Sequence, residues 1–261
     1  MMRALSIAGT GMAAQQLSIE VIANNLANIS TAGYKKSTWE FQDLMYEAMR
    51  PAGTTTSTGT LPVGMQIGTG VKPASVHRSF GQGEFQQTQN SLDLAIQGDG
   101  FFQVSLPDGT TAYTRAGSFQ LDDQGRIVNV DGYPIEPGLT ISQNAKSVSI
   151  STDGLVSVTT AGSSAPTQIG RIELARFTNP AGLDSLGKNL FRETAASGSP
   201  TTGTPGLEGF GLVEQGALES SNVNIAEEMV NMIVAQRAYE INSKAIQVSD
   251  EMMGIANNMK R

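Results

Sequence analysis

Both ends of this chain carry long amphipathic patterns of helical period, and each pattern has two apolar seams rather than one. Near the N-terminus Leu5, Met12, Ile19 and Leu26 recur at intervals of seven, with Ala8, Ile22 and Ile29 interleaved. Near the C-terminus Ile225, Met232, Tyr239, Ile246 and Met253 keep the same interval, joined by Met229. A second C-terminal row, Val234, Ile241, Val248 and Ile255, lies two positions on, with Ala245, Met252 and Met259 between its members. At about 3.6 residues per turn, two positions is a rotation of roughly 200°, so the rows face opposite ways. A helix apolar on two sides needs neighbours on both. One partner in the same chain covers one seam, and the other is left for a second subunit. The pattern predicts a polymer.

The net charge of −7, without a basic cluster, argues against nucleic acid, whose phosphates require Lys and Arg. No apolar run reaches the roughly 18 residues needed to cross a bilayer. Residues 1–30 lack the continuous apolar stretch of a secretory signal, so composition alone predicts a cytosolic protein. The absence of cysteine removes disulfides and thiolate metal sites. With 29 glycines and only 16% charged residues, the middle reads as loop-rich β structure.

The fold class predicted is α+β: long N- and C-terminal helices with a compact, mainly-β domain inserted between them. The first helix is expected from Arg3 to Ala27, ending in Asn28–Gly33, where Gly33 supplies a left-handed cap. Gly9 and Gly11 each weaken it by ~1 kcal/mol relative to Ala, so the extreme N-terminus is expected to be disordered in an isolated subunit. Trp39, Phe41, Leu44, Met45 and Ala48 have helical spacing and predict a short helix. Pro51-Ala52-Gly53 then opens a Thr-rich tract, Thr54 to Thr60, that reads as an extended or flexible insert.

From Met65 onward the apolar period becomes two. Leu92–Ile96, Phe101–Val104, Ile127–Val130 and Val148–Ile150 read as strands, and Asp99-Gly100, Asp108-Gly109, Asp131-Gly132 and Asp153-Gly154 as tight hairpins. The chain thus divides into a terminal helical core (1–33 and 222–261), a connecting segment (34–85 and 205–221, with an insert at 46–62) and a β domain (86–204). A helix from Ile225 to Asn258 would be about 50 Å long, against roughly 35 Å for the diameter of a β domain of that size. The helices are therefore expected to pack on something beyond it.

Signals for chemistry are weak. Gly9-Thr10-Gly11-Met12-Ala13-Ala14 matches a dinucleotide fingerprint but lacks a preceding strand and a distal acid, so no cofactor is expected. Asp122-Asp123-Gln124-Gly125 and Asp131-Gly132 resemble pieces of calcium loops without the closing glutamate, and read as turns. His77, the only histidine, reads as a packing or surface residue, not a metal ligand. Asn24, Asn25 and Asn28 interrupt the N-terminal seam, as either register-setting polar residues or a fraying helix end. No catalytic residue is expected.

Several of these segments resemble one family. Ala23-Asn24-Asn25-Leu26-Ala27-Asn28-Ile29-Ser30-Thr31-Ala32-Gly33-Tyr34-Lys35 is similar to the N-terminal signature of bacterial flagellar rod and hook proteins. Asp93–Phe102 and Tyr113–Phe119 resemble the family's central motifs, and Gly216–Asn224 followed by Ala235–Glu240 resembles its C-terminal one. Asp43–Tyr46, the Thr-rich insert with Pro51, Thr54, Thr60 and Pro62, and Leu61–Val71 look like the stretch characteristic of distal-rod members.

The resemblance implies that the N- and C-terminal helices are paired and build an inner helical tube of a rigid drive shaft carrying torque from motor to hook. It also replaces the cytosolic expectation with the flagellar basal body. The implied route is the type III export apparatus, without a cleaved signal, to a rod spanning periplasm to outer membrane. Implied partners are other copies of the chain, proximal-rod proteins, the hook protein, the peptidoglycan and outer-membrane ring bushings and the rod-capping protein. Alternatives are a hook or proximal-rod subunit of the same family, or a cell-wall-acting enzyme.

Overall fold

A computed structural model describes residues 2–51, 55–56, 59–60, 63–142, 144–160 and 165–259. The chain divides into two compact units, one of Met1–Leu26, Ser37–His77 and Asn224–Arg261, the other of Ala27–Lys36 and Arg78–Val223.

The first unit contains two long helices, α1 (Met2–Ala27) and α2 (Ile225–Asn258). Alanines, leucines and glutamines give α1 enough propensity to run unbroken through Gly9 and Gly11. Gly11 has a packing role: a Cβ there would lie 3.0 Å from the Asn242 side chain on α2. The N-terminus of α2 is capped by Asn224, whose side chain accepts hydrogen bonds from Ala226 N (3.0 Å) and Glu227 N (3.4 Å). Glu227 and Glu228 in the first turn complement the helix dipole. Asn25 approaches Glu228 to 3.5 Å. Residues 11 and 25 are as far apart along α1 as 228 and 242 are along α2, so the two helices run antiparallel in one register. That register sets buried Ser18 opposite buried Ala235.

The helix expected around 39–49 is absent, and two strands occupy the stretch. Ser37–Asp43 pairs with Val71–Arg78, and Glu47–Arg50 pairs antiparallel with Met65–Ile67. Trp39 and Phe41 also satisfy a period of two, and pairing with a segment thirty residues away in sequence supplies backbone partners that a lone helical turn lacks. Thr55–Thr56 pairs with Gly59–Thr60, so the described part of the insert is extended. Thr54 and Pro62 lie outside the described residues.

The second unit is built on a six-stranded antiparallel sheet, in the order Asp184–Gly187, Leu190–Arg192, Thr111–Thr114, Phe101–Ser105, Leu174–Arg176, Thr201–Gly203. Sequence neighbours on these strands bury opposite faces, as a period of two requires. Phe102, Ala112, Leu174 and Leu190 join the main core with Leu94, Ile127 and Val156. Phe101, Tyr113, Ala175 and Phe191 join a second cluster with Phe177 and Phe80. The second cluster is aromatic and packed edge to face, with Tyr113 and Phe177 centroids 4.8 Å apart. A three-stranded sheet, Ala145–Ile150, Leu155–Thr160 and Thr167–Arg171, completes the unit's larger β layers.

Asp108-Gly109, Asp131-Gly132 and Asp153-Gly154 sit in tight turns closed by short backbone hydrogen bonds. Asp99-Gly100 does not make a hairpin. The strand before it, Leu94–Gln97, pairs with Leu212–Gln215, whereas the strand after it lies in the six-stranded sheet. Gly100 has φ +146°, and a Cβ there would meet Leu174 Cδ1 at 3.1 Å, so glycine serves a close approach in the core.

Candidate assembly surface

The apolar rows of the helices differ sharply in exposure. On α2 the second row is open, with Val234, Ile241, Val248 and Ile255 at 61, 66, 52 and 60% exposure. In the first row Met232, Ile246 and Met253 are half-buried, while Ile225 and Tyr239 are exposed. On α1 Leu5, Met12, Ile19 and Leu26 are half-buried and Ile22 is fully buried. The closest helix–helix approach uses smaller or polar side chains: Gly11, Ser18 and Asn25 on α1 facing Asn242, Ala235 and Glu228 on α2. Reading large apolar residues alone missed this stripe, although both triplets are spaced by seven. Small residues let two backbones approach while the large ones flank the contact. Ser18 and Ser249 satisfy their buried hydroxyls on Ala14 O (3.1 Å) and Ala245 O (2.7 Å) of their own helices.

Of the motif asparagines, Asn24 is exposed, Asn28 half-buried and Asn25 fully buried. Asn25 exchanges two hydrogen bonds with the backbone of Ser37: Nδ2 donates to Ser37 O and Ser37 N donates to Oδ1, each at 2.9 Å. Its role is to hold the returning chain. In the second unit, Thr31 Oγ1 donates to Asn28 Oδ1 at 3.3 Å. Gly33 there has φ +70°, and a Cβ would lie 2.5 Å from Ala116 N, so the signature glycine answers both a left-handed backbone and a backbone contact. Tyr34 is buried beneath the Arg78 guanidinium, 5.4 Å from its ring centroid.

Next to Tyr34 the second unit holds a buried ion cluster. Glu219 Oε1 accepts from Lys35 Nζ (2.6 Å) and Gly83 N (2.9 Å), and Oε2 accepts from Arg115 Nε (2.9 Å). Lys35 also donates to Gly81 O (2.8 Å), and Arg115 to Gly98 O (2.8 Å) and Gly100 O (2.6 Å). All three side chains are at most 5% exposed. Burial pulls the Lys35 ammonium below the ordinary lysine range. The Glu219 carboxylate opposes that shift and Arg115 adds to it. Sequence reading placed Lys35 and Glu219 in signatures but gave no hint that they meet, because 184 residues separate them.

The hairpin at the insert carries exposed apolar side chains. Met45, Tyr46, Met49, Val63 and Met65 all face solvent, and Pro51 is exposed. Asp122 and Asp131, weighed as pieces of calcium loops, have structural roles. Asp122 accepts from Gln124 N (2.9 Å), Arg126 N (2.7 Å) and Arg126 Nε (2.7 Å) of its own turn, and Asp131 pairs with Lys188 at 2.8 Å. These contacts hold the Asp122 carboxyl below the usual range despite an opposing desolvation effect. His77 Nε2 lies 3.1 Å from Thr38 Oγ1, a strand-to-strand contact. Tyr113 is pushed up to about 12 by burial and by Glu193 and Glu136. Such an arrangement suits cohesion.

Comparison with known proteins covers nearly the whole chain. Residues 5–35 match the flagella basal body rod protein family, 95–158 the D1 domain of the flagellar hook protein FlgE/F/G, and 214–259 the C-terminal region of the flagellar basal body rod FlgEFG proteins. Flagellar basal-body rod protein FlgG of Buchnera aphidicola (subspecies Schizaphis graminum) is 55% identical over 97% of this chain and 98% of its own length. Its counterpart in Borreliella burgdorferi is 53% identical over the full length of both chains, and that of Caulobacter vibrioides 49% over 99% of this chain and all of its own.

Proposed function

The chain belongs to the FlgG family of flagellar basal-body rod proteins, and from that premise we propose that it is a subunit of the distal rod, polymerising into a rigid shaft that carries torque from motor to hook. The observation that carries this reading is the open row Val234, Ile241, Val248 and Ile255, which flanks the contact of α2 with α1 and stays exposed. Contiguous apolar surface of this kind marks a protein–protein contact. A second copy of the chain is the occupant that a helical polymer provides. Seam packing resists axial sliding, and the insert at 46–62, laid on a neighbour, resists bending.

The role is mechanical and involves no catalysis. The terminal segments 1–33 and 222–261 form the inner tube, 34–85 and 205–221 connect, and the β domain 86–204 meets the ring bushings in the peptidoglycan and outer membrane. Axial neighbours are proximal-rod proteins on one side and hook protein on the other, with the rod-capping protein at the growing end. Delivery is through the type III export apparatus. Negative-stain electron microscopy and sedimentation of concentrated full-length protein test this reading. Straight tubular filaments are expected. A chain that stays monomeric at every concentration, or that releases glycan from purified cell wall, refutes it.

A further inference from the structure

A torque-bearing subunit has to pass load through each stretch of chain that links its two units. Those stretches fall at residues 26–27, 36–37, 77–78 and 223–224. Inside the second unit, three of them are sewn together at one side chain. Asn222 Oδ1 accepts a hydrogen bond from Lys36 N (2.7 Å), and its Nδ2 donates to Ser79 O (2.9 Å) and Gly81 O (3.1 Å). Lys36 is the last residue of this unit's first segment, Ser79 the second residue of the other, and Asn222 the last but one of that same segment. Ser79 N returns a bond to Lys36 O (2.9 Å), and Arg78 Nη1 donates to Lys35 O (3.3 Å). Close by, Gly33 N donates to Glu219 O (2.7 Å), and the Lys35–Glu219–Arg115 cluster fixes the same segments by charge.

We infer that Asn222 is a positioning residue for torque transmission. Its amide locks the three passages into one stiff joint, while the fold of the β unit rests on its own core. This rests on the rod reading above. The chemistry is specific to asparagine. One acceptor and two donors in a single plane meet one backbone N–H and two carbonyls. Aspartate keeps the acceptor but turns a negative charge on the two carbonyls, and alanine leaves all three groups without this partner. The apolar clusters around Phe102 and Phe101 do not include Asn222, so their cohesion does not depend on it.

The test uses full-length Asn222→Ala and Asn222→Asp, with Asn129→Ala as control. Asn129 Oδ1 accepts from Asp131 N (3.0 Å) and Tyr133 N (2.8 Å), so the control removes a comparable amide from a turn remote in sequence from the passages. Three readouts are taken: the melt of the monomer, amide exchange at Lys36, and filament persistence length by electron microscopy. For both Asn222 variants the main melt should stay in place, while exchange at Lys36 speeds by about tenfold in Asn222→Ala, the loss of one such hydrogen bond, and less in Asn222→Asp, which keeps that acceptor. Their filaments should bend more than wild type, and Asn129→Ala filaments should not.

If Asn222→Ala alone gives no polymer, copolymers with wild type are measured, and softening in proportion to the variant share is expected. Asn222 filaments as stiff as wild type, or equal softening by Asn129→Ala, overturn the inference. A wild-type chain that never polymerises overturns the rod reading itself, which keeps the two failures apart.

Discussion

Glu219→Gln should be among the most costly single changes in the β unit that leave side-chain volume unchanged. The native carboxylate neutralises two buried cations, with Lys35 Nζ at 2.6 Å and Arg115 Nε at 2.9 Å. Glutamine keeps an acceptor but removes the charge, leaving Lys35 and Arg115 to face each other in a dry site. Removing one partner of a buried pair costs ~3–5 kcal/mol, against ~0–1 kcal/mol for an exposed pair. For a unit of this size that corresponds to a fall in Tm of roughly 6–20 °C.

The pH dependence gives a second handle. Burial already holds Lys35 below its ordinary value, and the main opposing influence is Glu219, so the variant lowers it further. A lysine with a depressed folded pKa takes up a proton on unfolding whenever the pH lies between its folded and unfolded values, and stability rises with pH across that window. Below the folded value the full cost of the buried charge is present. The variant's window reaches to lower pH than the wild type's, so part of its deficit at pH ~7 should be recovered near pH ~10, short of the unfolded lysine value. The carboxylate partner lost by the Arg115 guanidinium is not replaced at either pH, so recovery is incomplete. Urea unfolding of both proteins at the two pH values checks this. A deficit under ~1 kcal/mol at neutral pH, the size of an exposed pair, would refute the reasoning.

Four other outcomes are expected. Ile241→Asp should abolish filaments while shifting monomer stability by no more than ~0.5 kcal/mol, because Ile241 is 66% exposed; half-buried Ile246→Asp should also weaken the monomer, and normal filaments from both would show the seams misassigned. Gly33→Ala should destabilise the β unit by more than the ~1–3 kcal/mol of a forced left-handed residue, since its Cβ also meets Ala116 N at 2.5 Å; a loss below that range in urea unfolding counts against the contact. Deleting residues 51–60 should permit polymerisation but shorten the persistence length, and equal stiffness would assign rigidity to the helices alone. Hydrogen exchange on a verified monomer should find 1–30 and 225–261 less protected than 90–200, and strong protection of the ends would sink the two-seam argument.

Local sequence was sufficient for features whose physics is local. The period of the terminal patterns and the left-handed backbone at Gly33 are written in residues a few positions apart, and the helices fall at Met2–Ala27 and Ile225–Asn258, although Gly33 lies too far past α1 to cap it. The same holds for the three Asp-Gly turns, where side chain and turn share one short segment. Tertiary structure decided wherever a distant partner competes with local preference. The 39–49 stretch has helical spacing, yet Ser37–Asp43 and Glu47–Arg50 are strands because Val71–Arg78 and Met65–Ile67 complete their hydrogen bonds. Asp99-Gly100 has the composition of a hairpin, but its flanking strands find different partners. The same distinction governs Asn25, Lys35, Arg115, Glu219 and Asn222. Their residue types are visible in the chain, but a buried charge or amide acquires its role only from the groups that satisfy it, and those come from segments as far as 203 residues away.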